Sequence, residues 1–145
     1  MITLQPITSQ NFRPIIKLTV RDDEKGMVAP NMFSIAEAYV EPKTIPLGIY
    51  ADGAPVGFLY YGQFEGDNGE YWIARLMIDK DHRRKGYAEA TMRVLLNELR
   101  EKEDCNEVFL SFVPKNAAAK ALYDKLGFED TGKMVDKEKL YVYRF

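Results

Sequence analysis

The sequence predicts an α/β (α+β) fold, with a mixed, mainly antiparallel central sheet of about seven strands flanked by about four helices. Three observations lead to this prediction. Segments rich in β-branched and aromatic residues alternate along the chain with segments of helical apolar spacing. Turn-forming residues separate these segments, and no linker rich in glycine, serine or proline divides the chain. The length of 145 residues suits one domain, so we expect a single domain over residues 1–145.

The composition excludes several classes of protein. Hydrophobic residues make up 46% and charged residues 29% of the chain, which is typical of a globular protein. The 20 basic and 22 acidic residues give a net charge of -2, so no overall positive field favours nucleic acid. No apolar run approaches the roughly 18 residues of a membrane span. The first residues also lack a basic segment followed by an apolar core, so we expect neither a membrane anchor nor a secretory signal.

The scarcity of cysteine and histidine limits the chemistry further. Cys105 is the single cysteine and His82 the single histidine. One cysteine cannot form a disulfide within the chain, and this pair provides no ligand set for a metal centre. We therefore expect no metal and a cytoplasmic location.

The first part of the chain predicts one strand and two helices. Ile2–Ile7 alternates apolar and polar residues, as a short strand does. Thr8 or Ser9 can cap a helix that runs to about Leu18. A second short helix is expected at Phe33–Tyr39.

The middle of the chain predicts an antiparallel meander of three strands. Leu47–Ala51 and Val56–Gln63 are joined by Asp52-Gly53, a dipeptide that favours the positive backbone angles of a tight hairpin. The third strand, Tyr71–Asp79, follows the turn-forming segment Gly66–Gly69.

The last part of the chain predicts two helices and three strands. The longer helix is amphipathic, because its apolar residues recur at helical spacing while its other face is polar. Asn116 can cap the shorter helix, and Gly127 can end it in a left-handed conformation. In chain order the elements are a helix at about Gly86–Lys102, a strand at Glu107–Val113, a helix up to Leu126, and strands at Phe128–Gly132 and Lys139–Phe145.

A basic segment at the start of the longer helix is the first candidate for function. It reads Arg83-Arg84-Lys85-Gly86-Tyr87-Ala88 and follows the strand Tyr71–Asp79. A helix start carries unpartnered N–H groups and a partial positive charge, so it can bind a phosphate or pyrophosphate. Gly86 allows the backbone to approach the anion closely. A helix start with no ligand explains the same pattern equally well.

A second segment makes the first one specific. Arg83–Ala88 fits the pattern Gln/Arg-x-x-Gly-x-Gly/Ala of the GNAT superfamily of N-acetyltransferases. The segment Asn116–Phe128 resembles the second hallmark of that family, and it lies on the expected elements in the expected order. The resemblance implies a GNAT-like fold and acetyl-coenzyme A as the acetyl donor, with its pyrophosphate on Arg83–Ala88.

The resemblance also implies roles for individual residues. Leu76, Met77 and Ile78 lie where the family's strand pairs with the pantetheine arm, and this strand separates from Glu107–Val113 to admit it. Asn116 and Tyr123 flank the thiol end of the cofactor. Tyr123 would then protonate the departing thiolate. From the residues alone, Tyr123 can equally be a packing residue and Asn116 a helix cap.

The residue that removes the proton from the amine is not apparent. Trp72 stands where histone-type relatives have a glutamate. Glu70 shares a side with Trp72 if the strand is regular, so it can act through water. An exposed residue at the end of a strand is the simpler interpretation of Glu70, and a chain of water molecules can also take the proton.

The acceptor is predicted from the segment Val20–Tyr39. Within it, Val28-Ala29-Pro30-Asn31 followed by Ser34-Ile35-Ala36-Glu37-Ala38 resembles the matching segments of bacterial spermine/spermidine and diamine N-acetyltransferases. This resemblance implies a small-molecule amine, most simply a polyamine, as the acceptor, and a possible homodimer. Carboxylates can hold spaced ammonium groups and an aromatic face can add cation–π attraction. The candidates are Asp22, Glu24, Glu37, Tyr39 and Glu41, with Glu37 first because it lies inside the matching segment.

Other interpretations remain open for the same residues. A run of charged residues is commonly a solvated face. The acceptor can be another small amine or a protein N-terminus. A non-catalytic acyl-coenzyme A-binding module is a further alternative, because the strand glutamate is missing.

Overall fold

A computed structural model describes the whole chain, Met1–Phe145. It has a seven-stranded sheet and four α-helices, which confirms the predicted fold class and the order of the elements. The elements are β1 (Ile2–Pro6), α1 (Phe12–Lys17), α2 (Asn31–Val40), β2 (Thr44–Ala51), β3 (Ala54–Gln63), β4 (Tyr71–Ile78), α3 (Tyr87–Arg100), β5 (Glu107–Phe112), α4 (Ala117–Leu126), β6 (Glu129–Val135) and β7 (Glu138–Arg144). No helix is long and apolar enough to cross a membrane.

The strands lie in the order β1-β2-β3-β4-β5-β7-β6. Every neighbouring pair is antiparallel except β4 and β5, so the predicted meander of β2, β3 and β4 is confirmed. Asp52 and Gly53 have φ angles of 50° and 84°, which are the positive angles expected for this hairpin. Asp136 and Lys137 form the turn between β6 and β7 with φ angles of 48° and 67°. Because the turn lies at these two residues, β6 extends to Val135, beyond the predicted end at Gly132.

Helices cover both faces of the sheet. On one face α3 contributes Met92 and Leu95, and α4 contributes Leu126, to a buried cluster with the strands; we call this the α3/α4 face. On the other face α1 and α2 pack over a smaller cluster that includes Ile15 and Tyr60, and we call this the α1/α2 face. Each fully buried aliphatic side chain contributes about 1.5–3 kcal/mol relative to an exposed one.

The first helix begins later than the sequence predicts. The carbonyl of Thr8 accepts hydrogen bonds from the backbone N–H groups of Asn11 and Phe12, so Thr8 opens a turn and not the helix. The Asn11 side chain accepts from Thr8 N and donates to Pro6 O, which stabilises this turn. A residue that can cap a helix can also form such a turn, and the sequence does not distinguish the two.

The central strands separate at one end and create the main opening of the fold. β4 and β5 pair only through Tyr71 with Val108 and Trp72 with Phe109. Beyond Trp72 the edge of β4 that faces β5 has no strand partner. This confirms the predicted separation of the two strands.

A β-bulge lies directly after this point. Tyr60 of β3 pairs with Arg75 and Tyr61 with Ile73, so Ala74 has no opposite residue. A bulge places two consecutive side chains on one face. Ala74 packs against the cluster of the α1/α2 face, and Arg75 lies near Glu37 of α2 on the same side.

Candidate active site

A cleft of about 1310 Å³ begins where β4 and β5 separate. Residues of both faces of the sheet line it. Gly86, Asn116 and Tyr123 contribute from the α3/α4 side, and Glu37 contributes from the α1/α2 side. A ligand in this cleft can therefore pass from one face of the sheet to the other between the two strands.

The segment Arg83–Ala88, which we call the donor loop, presents backbone donors to the cleft. Arg84 and Gly86 have positive φ angles of 63° and 77°. The backbone N–H groups from Arg84 to Glu89 have no carbonyl partner, and the first helical bond of α3 runs from Ala90 N to Gly86 O at 3.1 Å. Such a series of free N–H groups at the start of a helix binds anions.

The space at Gly86 also suits a bulky anion. A Cβ atom built on Gly86 would meet no atom within 4 Å, so the space directly beside this residue is open. Arg84, Tyr87 and Ala88 line the cleft, whereas Lys85 is exposed beside it. These residues fit the pyrophosphate of a coenzyme A molecule.

The side chain of Arg83 is already bound within the chain. Its Nη1 and Nη2 donate to the two carboxylate oxygens of Glu24 at 3.0 and 2.9 Å, and its Nε donates to Ile78 O at 2.8 Å. The hydrogen bonds from Arg83 hold the pKa of the Glu24 carboxyl below its usual range. Both residues line the cleft, so the donor loop and the 3₁₀ turn Asp22–Glu24 meet at its wall.

The free edge of β4 provides backbone groups for an extended ligand. Leu76, Met77 and Ile78 all line the cleft, and no residue of β5 pairs with them. Leu76 packs toward the α3/α4 cluster and Met77 belongs to the α1/α2 cluster, so their backbone lies between the two faces. An extended pantetheine arm matches such an edge, because its amides can pair with strand N–H and C=O groups.

Tyr123 and Asn116 lie on the α3/α4 side of the same cleft. Tyr123 is 9% exposed, and its ring packs between Phe112 and Phe128 at centroid distances of 5.7 and 5.6 Å. Burial raises the pKa of the Tyr123 phenol to about 12, so the hydroxyl keeps its proton at neutral pH. Asn116 caps α4 by accepting from Ala119 N at 3.1 Å, which confirms the predicted cap.

On the α1/α2 side the carboxylate of Glu37 faces the guanidinium of Arg75 without a hydrogen bond between them. Arg75 Nη2 lies 3.7 Å from Glu37 Oε1, and that oxygen and Arg75 Nε are both buried without a hydrogen-bond partner. Arg75 Nη1 donates to Ala74 O at 2.7 Å. Buried polar atoms normally have partners, so these two atoms can still bind a ligand in the cleft.

Of the other predicted acceptor residues, Glu24 lines the cleft but is bound to Arg83, whereas Asp22, Tyr39 and Glu41 lie outside the cleft. Asp22 is 96% exposed and pairs with Lys25, and the Tyr39 side chain is 90% exposed. Glu41 accepts a hydrogen bond from Glu65 N at 3.1 Å. Glu70, the predicted base, is exposed before the start of β4.

The cleft also contains acidic residues that the sequence did not single out. Asp67 comes from the loop between β3 and β4, and Asp136 and Glu138 come from the hairpin of β6 and β7. Ser111 donates to Glu138 Oε1 at 2.9 Å. Their positions in separate turns gave no local signal, since only the topology brings these turns to one opening.

No group of three or more His, Cys, Asp or Glu side chains could hold a metal ion. The lining of the candidate site comprises the donor loop, the edge of β4, the Tyr123 phenol and several carboxylates.

Comparisons with known proteins agree with this geometry. The sequence profile of the Acetyltransferase (GNAT) family matches residues 13–128. A probable spermine N(1)-acetyltransferase of Bacillus subtilis subsp. natto (strain BEST195) is 28% identical over 138 residues, which cover 92% of this chain and 91% of the relative. The spermine/spermidine N(1)-acetyltransferase of Bacillus subtilis (strain 168) is also 28% identical, with the same coverage.

Solved structures show the same fold. Aminoglycoside acetyltransferase AAC(6′)-Ib in complex with coenzyme A superposes with a TM-score of 0.78 at 17% identity, over 99% of this chain and 95% of that one. The PaiA N-acetyltransferase from Thermoplasma acidophilum, also in complex with coenzyme A, gives a TM-score of 0.74 at 13% identity, over 100% and 99% of the two chains. Since the family profile includes the donor loop, β4, β5 and Tyr123, the chain belongs to the GNAT family and is an N-acetyltransferase that uses acetyl-coenzyme A to acetylate amines.

Proposed function

We propose that the acceptor is a polyamine such as spermine or spermidine. The observation that carries the proposal is the distribution of carboxylates around the cleft, where Glu37, Asp67, Asp136 and Glu138 come from three separate segments. Spaced carboxylates match the spaced ammonium groups of a polyamine. The names of the two Bacillus relatives support the same substrate class.

We assign the roles in the transfer as follows. Acetyl-coenzyme A supplies the acetyl group as a thioester. The free N–H groups of the donor loop hold the pyrophosphate, and the β4 edge at Leu76, Met77 and Ile78 aligns the arm. The Tyr123 hydroxyl is the hydrogen-bond and proton donor to the departing sulfur; burial raises its pKa to about 12, so it is protonated at neutral pH but is a weaker acid than an exposed phenol. Direct attack by the amine in a ternary complex needs no covalent intermediate on the chain.

Glu37 is the carboxylate that we place closest to the reacting amine. It faces Arg75, which follows the bulge residue Ala74 on β4. Its unpartnered Oε1 can accept a hydrogen bond from an ammonium group or take its proton through water. A role for Glu70 through water stays a prediction, as do the acceptor-binding roles of Asp22, Glu24, Tyr39 and Glu41.

A panel of amines tests the acceptor directly. Release of coenzyme A is measured with spermine, spermidine, simple diamines, amino acids, aminoglycosides and peptides that carry a free N-terminus. We expect the highest kcat/KM with spermine or spermidine and a lower value with diamines. If none of these polyamines is acetylated while another amine is, the polyamine assignment is wrong although the enzyme class stands.

Arg75 favours one alternative acceptor. Its guanidinium lies in the cleft wall and its Nε has no partner, so it can bind the carboxylate of an amino-acid acceptor while Glu37 binds the amino group. The amino acids in the same panel distinguish this second candidate, because a polyamine has no carboxylate.

A homodimer, a cytoplasmic location and a single domain over residues 1–145 stay predictions. Light scattering of the purified protein measures the oligomeric state, and fractionation of cells measures the location.

A further inference from the structure

Arg83 connects the donor loop to the segment that precedes α2. Its guanidinium makes a parallel pair of hydrogen bonds to Glu24, at 3.0 and 2.9 Å, and its Nε binds the carbonyl of Ile78 at 2.8 Å. Paired N–H···O bonds between a guanidinium and a carboxylate are among the strongest side-chain contacts. Three of the five guanidinium donors are thus used within the chain. Arg83 therefore connects segments of the chain, while the free backbone N–H groups of the loop remain for the anion.

Glu24 is fixed on its own side as well. Arg21 N donates to Glu24 Oε1 at 3.1 Å, and Met27 N donates to Glu24 O at 3.0 Å. The side chain of Glu24 is 22% exposed and that of Arg83 is 30% exposed, so water only partly screens the pair. The pair spans 59 residues of sequence.

The segment after Glu24 depends on this contact for its position. Residues Lys25–Pro30, which we call the acceptor wall, all line the cleft. Within the wall the N–H groups of Val28 and Ala29 are bonded to no carbonyl. The wall ends at Asn31, whose buried side chain donates to Ile15 O at 3.0 Å. It is thus held at Asn31 on one end and at Glu24 on the other.

A separate contact keeps the surrounding structure in place without Glu24. The buried carboxylate of Asp79 accepts from Thr19 N at 2.9 Å, and Lys80 N donates to Thr19 O at 2.8 Å. Loss of the Glu24 contact is therefore expected to loosen residues 21–30 without unfolding the domain.

We infer that Glu24 is a positioning residue that couples the donor loop to the acceptor wall. Coenzyme A bound to the N–H groups of the donor loop fixes Arg83, Arg83 fixes Glu24, and Glu24 fixes the wall against which the amine binds. Binding of donor and amine then favour each other, because coupling between two sites is reciprocal. The inference rests on the donor site of the acetyltransferase and does not depend on which amine is acetylated.

Hydrogen–deuterium exchange with coenzyme A alone tests the coupling. The N–H groups of Glu24, Lys25 and Met27 are hydrogen-bonded inside the segment and report on its opening. In the wild-type protein, saturating coenzyme A should slow exchange in the peptide that covers residues 20–30 by about fivefold or more. In Glu24→Gln this slowing should be lost, although coenzyme A still binds.

Two further variants separate a connecting role from a role of charge. Arg83→Lys keeps the positive charge beside the donor but cannot form the paired contact, so it should behave like Glu24→Gln. Asp23→Asn is the matched control, because it removes one carboxylate from the same 3₁₀ turn, and Asp23 is 73% exposed and pairs only with Arg21. Asp23→Asn should respond to coenzyme A like the wild type.

The exchange experiment uses coenzyme A alone, so its result does not depend on whether the acceptor is a polyamine. Loss of the slowing in Glu24→Gln and Arg83→Lys, with the control unchanged, supports it. An amine that the wild type acetylates should then show a KM raised about fivefold in Glu24→Gln with kcat nearly unchanged. Exchange that does not respond in the wild type, a wild-type response in Arg83→Lys, or unfolding of both variants would overturn it.

Discussion

Trp72 of β4 and Phe109 of β5 form the last pair before the two strands separate, and their rings stack at a centroid distance of 5.4 Å. The stack lies at the point from which the cleft opens, and Trp72 lines the cleft. The aromatic pair therefore lies at the point where the backbone pairing of the two strands stops.

Removing the Trp72 ring should destabilise the fold and disturb the cleft. We expect Trp72→Ala to lower the free energy of unfolding by about 2–4 kcal/mol, because a large, partly buried aromatic side chain is lost. The affinity for coenzyme A should fall as well, because the point at which β4 and β5 separate is no longer held in place. Urea denaturation and calorimetric titration with coenzyme A measure the two effects.

Trp72→Phe is the matched control for this position. It keeps an aromatic ring against Phe109 and removes the indole Nε1, which is buried without a hydrogen-bond partner. Its stability should lie within about 1 kcal/mol of the wild type. If Trp72→Phe loses as much as Trp72→Ala, the stack is not what stabilises this junction.

Gly86 should be needed for donor binding. The substitution Gly86→Glu places a side chain at a φ of 77° and brings a negative charge to the free N–H groups of the donor loop. We expect coenzyme A affinity to fall at least about tenfold, from strain and charge repulsion together. Titration calorimetry measures this affinity.

Gly53→Glu controls for the strain in that experiment. Gly53 has a similar φ of 84° and open space around it, but it lies in the hairpin of β2 and β3 outside the cleft. The two variants should lose similar stability, about 1 kcal/mol. Only Gly86→Glu should lose donor affinity, and equal affinities in the two variants would contradict the site of the pyrophosphate.

Much of the fold could be predicted from local patterns. Asp52-Gly53, the Asn116 cap and the left-handed Gly127 each depend on neighbouring residues alone, and the structure has all three. The prediction that Thr8 caps the first helix is wrong, because a turn and a helix start use the same side-chain hydrogen bonds.

The parts of the site that depend on contacts between residues far apart in the sequence could not be predicted from local patterns. The partner of Arg83 is Glu24, and the residue facing Glu37 is Arg75. Neither pairing follows from a pattern within one segment. The β-bulge at Ala74 could not be predicted either, because packing across strands specifies it. The bulge changes the face of the sheet on which Arg75 lies.

Tyr123→Phe should lower kcat with little effect on the affinity for coenzyme A. The variant keeps the ring between Phe112 and Phe128 and removes only the proton donor. We expect a fall of about 10- to 100-fold, at the lower range of general acid catalysis. Because burial raises the Tyr123 pKa to about 12, the wild-type rate should not decline from ionisation of this phenol below about pH 11.

The same raised pKa makes stability depend on alkaline pH. In the unfolded chain the phenol has its ordinary pKa of about 10, whereas burial in the folded chain raises that pKa to about 12. The unfolded state therefore binds fewer protons in this window, and stability falls as pH rises from 10 toward about 12. Tyr123→Phe should reduce this fall, which denaturation at several pH values measures.

Tyr71→Phe is the control for the predicted fall of kcat in Tyr123→Phe. Burial and the hydrogen bond to Asp104 also raise the Tyr71 pKa to about 12, but Tyr71 lies outside the cleft. Its variant should reduce the alkaline loss of stability and leave kcat near the wild-type value. A similar fall of kcat in both variants would show that Tyr123 has no special role as proton donor.

Glu37→Gln should separate a binding role from a role in proton removal. The substitution keeps the size of the side chain and removes the charge that faces Arg75 at 3.7 Å. If Glu37 only holds an ammonium group, KM for polyamines should rise about tenfold while kcat is kept. If Glu37 also takes the proton from the amine, kcat should fall about 10²-fold or more for every amine that is acetylated.

The shape of the pH–rate profile distinguishes these two roles in the same variant. A carboxylate that takes the proton gives an acid limb in kcat, and Glu37→Gln should remove that limb, whereas a carboxylate that only binds affects kcat/KM. Glu65→Gln is the control, because its exposed side chain lies outside the cleft on the neighbouring loop. Unchanged KM and kcat in Glu37→Gln would exclude both roles. Asp67, Asp136 and Glu138 would then be the remaining carboxylates in the cleft that can bind the acceptor amine.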